Sequence, residues 1–219
     1  MRIRECGDSM LLVEFDPVID PIVNARVIAL ASRLRDRHAR GVHDVAPGYC
    51  TVGVHFDPLQ TDLRALEQAI AEDATALEDG VAQSPRAPIE IAVSYGGNDG
   101  PDLESVAAYA GCSPAEVIER HTTRTYRVYM LGFVPGFAYL GRVDGSIAMP
   151  RHRVPRERVP VGSVGIAGEQ TGVYPVSSPG GWQLIGRTSC VMFDAGRPTP
   201  SLLLPGDLVR FVPTLDRVR

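Results

Sequence analysis

Lysine is absent from this 219-residue chain, and all 22 basic residues are arginine. A Schiff-base lysine and the lysine of a Walker-type phosphate loop are therefore excluded. Any carboxylate or phosphate must be held by guanidinium forks, backbone N–H groups or hydroxyls. The four cysteines (Cys6, Cys50, Cys112 and Cys190) contain no CxxC pair. The five histidines show no metal-ligand spacing either. Reduced, mostly buried thiols and no protein-bound transition metal are expected. Cys112 precedes a helix start, where a thiolate can be stabilised, but a buried thiol is the simpler reading. No stretch approaches the length of apolar residues that crosses a bilayer, and the opening MRIRECGDSM has no apolar leader. A soluble, cytoplasmic protein without membrane contacts is expected. The net charge of −4 argues against a nucleic-acid coat.

The acidity is not uniform. Residues 1–84 carry a balance of −6, whereas residues 85–219 carry +2. Between Arg120 and Arg158 eight arginines face only Asp144 and Glu157. A local excess of Arg on an acidic chain suggests a small anionic ligand.

Hydrophobic periodicity gives a coarse layout. Residues 2–5 and 10–15 read as strands around the turn residues Gly7, Asp8 and Ser9. Val23, Val27, Leu30 and Leu34 form one helical stripe after Pro21, with Gly41 suited to its end. Residues 42–45 and 49–56 read as strands, and 62–77 as a helix with Leu63, Leu66, Ala69 and Ile70 on one face. The order suggests a small α+β sandwich, ferredoxin-like in spirit. Residues 83–88 read as a linker between domains 1–84 and 85–219. A strand over 89–95 precedes a turn cluster at 96–101 and two short helices, the first capped by Asp102 and the second by a Ser113–Glu116 capping box. From Tyr126 onward, short apolar runs are broken by Gly or Pro, the pattern of a barrel or twisted sandwich. Residues 202–213 read as strand, tight turn, strand.

Four segments carry candidate chemistry. GFVPGFAYLG (132–141) is either a packed turn or an aromatic pocket wall. In PRHRVPRERVP (150–160), three prolines stiffen an extended segment. Alternation would put Arg151 and Arg153 on one side and Arg156 and Arg158 on the other. GSVGIAGEQTG (162–172) lacks the helix that a dinucleotide loop needs, but offers backbone N–H groups for an anion. In YPVSSPGGWQLIGRT (174–188), Trp182 is either a core residue or a stacking platform, with Arg187 and Thr188 as polar contacts. His121, near the end of a helix, is either a core or dipole-facing residue or an acid–base group.

Together with LLLPGDLVRFVP, the runs GFVPGFAYLG and MPRHRVPRERVPVGSVGIAGEQTGVYPVSSPGGWQLIGRT resemble the small-subunit family of bacterial ATP-dependent 5-oxoprolinase. That family is called PxpB or KipI and is often labelled allophanate hydrolase subunit 1. The resemblance implies an α/β N-terminal domain and a cyclophilin-like β-barrel C-terminal domain. It also implies a larger PxpC/KipA-like subunit and a PxpA-like third subunit as partners, and opening of the 5-oxoproline lactam to L-glutamate with ATP and Mg²⁺. On that basis His121, Arg153 and Tyr174 are assigned to catalysis. Arg151, Arg156, Gln170, Trp182, Arg187 and Thr188 are assigned to substrate or anion binding. A chain without lysine or a P-loop is expected to be inactive alone. The family's alternatives are a histidine-kinase inhibitor, an allophanate hydrolase subunit or a urea carboxylase-type subunit. The amidase Ser-Ser-Lys machinery is impossible without lysine.

Overall fold

A computed structural model describes residues 1–77 and 87–214. Most of the expected linker, 83–86, lies outside the described residues. The chain divides into two compact units, Met1–Pro85 and Arg86–Arg219.

The first unit contains β1 (Arg2–Glu5), β2 (Met10–Glu14), α1 (Pro21–Asp36), β3 (Val42–Pro47), β4 (Thr51–Phe56) and α2 (Leu63–Thr75). Its sheet runs β1-β2-β4-β3, with every neighbour antiparallel. Asp20 starts α1 by accepting hydrogen bonds from the N–H groups of Ile22 and Val23 at 2.8 and 3.1 Å, and Pro21 fills the first helical position. The predicted stripe then buries Val27, Leu30 and Leu34 against Leu11, Val13, Val52 and Val54 of the sheet, and against Leu66 and Ile70 of α2. The helix is closed by Arg37 in ordinary helical conformation, not by Gly41, which takes its positive φ in the turn into β3. Arg37 instead ties the two helices together: its Nε and Nη2 donate to Asp73 at 2.5 and 3.0 Å. The connectivity is β-β-α-β-β-α rather than the β-α-β-β-α-β of a ferredoxin-like unit.

The second unit is mixed α/β around a closed seven-stranded barrel. Its strands are β5 (Ile89–Tyr95), β6 (Tyr126–Leu131), β7 (Ala138–Gly141), β9 (Ser163–Ala167), β10 (Gln170–Val173), β12 (Gln183–Arg187) and β13 (Leu208–Pro213). They close in the order β10-β7-β6-β13-β5-β12-β9. An odd ring of strands cannot alternate direction all the way round. The mismatch falls between β13 and β5, the parallel pair. Inward residues alternate as the pleat demands: Ile91 and Val93 of β5, Val164 and Ile166 of β9, and Val209 and Phe211 of β13 are all buried. Two helices, α3 (Leu103–Ala110) and α4 (Pro114–Thr122), link β5 to β6 and pack on β12 and β13 respectively. A two-stranded ribbon of β8 (Arg156–Val159) and β11 (Ser178–Gly180) completes the unit.

Ser113 and Glu116 form the expected reciprocal capping box on α4. Asp102 does not cap α3; no hydrogen bond runs from its carboxylate to the helix N-terminus. The run 202–213 is half strand: β13 forms, but the segment before it is a turn, tied by the Phe193–Ser201 bridge and by Leu202 N–H donating to the Met192 carbonyl at 2.8 Å. No helix among the described residues is long and apolar enough to cross a membrane.

Candidate active site

A pocket of about 490 Å³ opens beside the barrel, within the range of about 300–1,000 Å³ usual for small ligands. Its apolar wall is a nest of rings. Phe137 is buried, and the rings of Tyr139, Tyr174 and Trp182 meet it edge-to-face at centroid separations of 4.9, 5.3 and 5.3 Å. Such contacts add about 0.5–1.5 kcal/mol per pair beyond burial and hold each ring in one orientation. Thus 132–141 and Trp182 each satisfy both readings offered by the sequence: they are packed, and they form a pocket wall. Phe133, at the rim, is exposed and adopts a φ of 69°, unusual for a bulky residue. Gly180 lets the ribbon cross the Tyr174 ring, since a Cβ there would lie 2.4 Å from the phenol oxygen. Burial raises the Tyr174 phenol above its ordinary value, so it faces the pocket as a neutral hydroxyl.

The polar wall comes from the proline-rich segment. Arg151, His152 and Arg153 line the same pocket, and no Asp or Glu is among its lining residues. The segment is not a free rod. The His152 N–H donates to the Gly181 carbonyl at 2.6 Å, and Gln183 Nε2 donates to the Pro150 carbonyl at 2.7 Å. These bonds tie the arginines to the Pro-Gly-Gly turn that carries Trp182. Arg151 and Arg153 keep exposed guanidinium groups at the mouth.

Arg156 belongs elsewhere. Its Nη2 donates to Asp102 Oδ1 at 2.6 Å, with a longer contact of 3.4 Å from Nη1 to the Trp182 carbonyl. Its charge is therefore committed to a nearly buried carboxylate instead of an anionic guest. Arg158, its supposed companion, reaches the Ser177 hydroxyl at the surface.

Four other sequence assignments are not part of this pocket. His121 is fully buried in the barrel, stacked on Phe211 at 4.6 Å. Thr171 Oγ1 donates to the Gly165 carbonyl, so it accepts from His121 Nε2 at 2.9 Å, and His121 Nδ1 accepts from the Tyr95 hydroxyl at 2.7 Å. Desolvation pushes this imidazole down to about 3, so it is a neutral core residue and not a proton carrier at the pocket. Gln170 begins β10, in register with Ala167 and Gly141, and is not among the pocket's lining residues. Arg187 is directed to Asp99 at 3.2 Å. Thr188 is buried and accepts the Cys190 N–H.

The glycine-rich 162–172 is no anion cradle. Its residues are β9, a turn and β10, whose N–H groups serve the barrel. At Gly162, φ is +79° and a Cβ would lie 2.1 Å from the Thr188 carbonyl, so the protein's own chain fills that space. No group of three His, Cys, Asp or Glu that could hold a metal occurs among the described residues. The guanidinium groups of Arg151 and Arg153 suit a phosphate, but no cluster of three Mg²⁺ ligands accompanies them among the described residues.

Sequence reasoning passed over two residues. His152 lay inside the flagged arginine segment, but its neighbours drew attention from it. Asp102 meets Leu184 across 82 positions of chain, a contact that no local pattern encodes.

The carboxyltransferase domain, subdomain C and D, family matches residues 1–203. The B-type subunit of 5-oxoprolinase from Bacillus subtilis (strain 168) is 42% identical, covering 96% of this chain and 92% of that one. Its counterpart from Escherichia coli O157:H7 is 44% identical, covering 97% and 95% respectively. The crystal structure of TTHA0988 superposes with a TM-score of 0.83 at 35% identity, covering all of this chain and 41% of that longer one. Matches of this extent mean that this chain belongs to the family of B-type 5-oxoprolinase subunits.

Proposed function

We propose that this chain is the small subunit of a 5-oxoprolinase complex that opens the 5-oxoproline lactam to L-glutamate. One observation supports this beyond family membership: a small pocket with aromatic walls, two exposed guanidinium groups at its mouth and no lining carboxylate. 5-Oxoproline is a flat five-membered ring bearing a carboxylate. Trp182 and Tyr139 suit the ring, Arg151 and Arg153 suit the carboxylate, and the Tyr174 hydroxyl suits the lactam oxygen. ATP with Mg²⁺ is proposed to bind together with the partner subunit, since the described residues of this chain contain no metal-ligating cluster. A PxpC/KipA-like larger subunit and a PxpA-like third subunit are the proposed partners, and the chain alone is proposed to be inactive.

The test is co-expression with the products of neighbouring reading frames, followed by glutamate release from 5-oxoproline and ATP. Arg153→Ala abolishes release while the complex still assembles. Release at the wild-type rate by that variant refutes the site.

The fold names follow the same reading. Moving β1 from the front of the first unit to its end converts β-β-α-β-β-α into β-α-β-β-α-β. This supports a circularly permuted ferredoxin-like arrangement. The second unit is proposed to be cyclophilin-like, which carries no implication of prolyl isomerase activity.

A further inference from the structure

The expected cap of α3 leads to a second finding. An Asp at a helix N-cap usually stabilises the helix by about 1 kcal/mol, yet Asp102 gives its carboxylate to something else. Its backbone N–H and side chain both lock onto β12: Asp102 N donates to the Leu184 carbonyl at 2.9 Å, and Leu184 N donates to Asp102 Oδ2 at 2.6 Å. Oδ1 takes the Arg156 guanidinium at 2.6 Å. The carboxylate is nearly buried and held from two sides, so it cannot rotate away. Its Oδ2 lies 3.4 Å from His152 Nε2. That nitrogen is itself buried and has no hydrogen-bond partner, while His152 is among the residues that line the pocket.

A fixed carboxylate directed at one nitrogen of a half-exposed histidine sets the tautomer. In the neutral ring this contact favours the proton on Nε2 and leaves Nδ1 as the base. Separations of this kind shorten when a substrate is bound, so 3.4 Å is within reach of a working pair. The histidine's own main chain is immobilised by the Gly181 carbonyl, which fixes where the ring can go.

We propose that His152 is the acid–base residue of the pocket and that Asp102 is its positioning residue. This rests on the 5-oxoprolinase reading of the same site. In the ring-opening step a water oxygen bonds to the lactam carbonyl carbon, and Nδ1 of His152 takes one proton from that water. The C–N bond then breaks, and the same proton passes to the departing nitrogen, completing the amine of glutamate. The hydroxyl remains on carbon as the new carboxyl group. Activation of the lactam oxygen is supplied by the rest of the complex. The charged and titratable groups around His152 are Arg151 and Arg153 on its own segment, Arg156 on β8, Asp102 before α3, and the Tyr139 and Tyr174 phenols. Asp102 is the single anion among them, so it is the group that can balance the imidazolium formed during proton transfer.

The test uses the assembled complex with its partner subunits. His152→Ala lowers glutamate release by about 100-fold or more, the usual worth of a placed acid–base group. Added imidazole restores at least a tenfold part of that loss. Asp102→Asn also lowers the rate and moves the acidic limb of the pH–rate profile, a readout that mere loss of packing leaves unmoved. Thermal unfolding of the free His152→Ala chain stays at the wild-type temperature. An active wild-type complex in which His152→Ala works within threefold of normal overturns the proposal, as does a loss that imidazole fails to restore. A wild-type complex that releases no glutamate overturns the functional reading itself, and this proposal with it.

Discussion

Acid should loosen the barrel through one buried ring. His121 is fully enclosed, with Nδ1 accepting from Tyr95 and Nε2 donating to Thr171, so the neutral ring satisfies both nitrogens without a buried charge. In the unfolded chain the imidazole protonates near ~6.5, whereas in the fold burial holds it down to about 3. Between those two values the unfolded state gains a proton that the folded state refuses, so stability is full above the upper value and drains as pH falls. The slope is about 1.4 kcal/mol per pH unit, which makes the loss between pH 8 and pH 5 about 2 kcal/mol from this group alone. His121→Gln cannot titrate. At pH 8 it is less stable than wild type by about 1–3 kcal/mol, through lost packing and hydrogen bonds. By pH 5 that gap closes by about 2 kcal/mol. Urea midpoints of both proteins at four pH values between 8 and 5 measure the gap, and carboxylates common to both cancel in the difference. A gap that stays constant across the range means that His121 is hydrated or already charged, and the account of it as a neutral core residue is then wrong.

Two substitutions check the local geometry. Gly180→Ala pushes a methyl group into the Tyr174 phenol, from which the Cβ would be only 2.4 Å away. It costs about 1–3 kcal/mol of overpacking, read by thermal melting, and raises the KM for 5-oxoproline in the complex. Ser113→Ala removes the hydroxyl half of the α4 capping box and lowers stability by about 1 kcal/mol in chemical denaturation, without changing turnover.

What the sequence revealed was mostly local. The helix over Pro21–Asp36 follows from one apolar stripe and one aspartate, and the α4 start from a four-residue capping pattern. The proline-braced arginines were also legible, because stiff backbone and clustered charge are compositional features. Even there only Arg151 and Arg153 reach the pocket. Arg156 looks identical in sequence, and what separates it is a carboxylate 54 positions away. His121 misled for the same reason. A histidine late in an amphipathic helix resembles an exposed acid–base group until strands from both ends of the unit enclose it. The glycines of 162–172 resemble a phosphate loop, but they answer the steric demands of tight strand crossings, such as that of Gly162 with Thr188. Function in this unit depends on pairings across the barrel, and such pairings leave no periodic trace in the chain.

The parallel seam between β5 and β13 has a consequence for how the protein comes into being. β5 is the first strand of its unit to leave the ribosome and β13 the last, and Ile91 aligns with Phe211 across that seam. Until the final strand arrives, β5 and β6 each present an unsatisfied edge, with the apolar interior open to solvent. Closure is therefore a late, long-range event, of the kind that slows folding and exposes sticky edges in the interim. A nascent chain halted before Leu208 would hold every residue of the pocket, yet it would still lack the stave that shuts the cask.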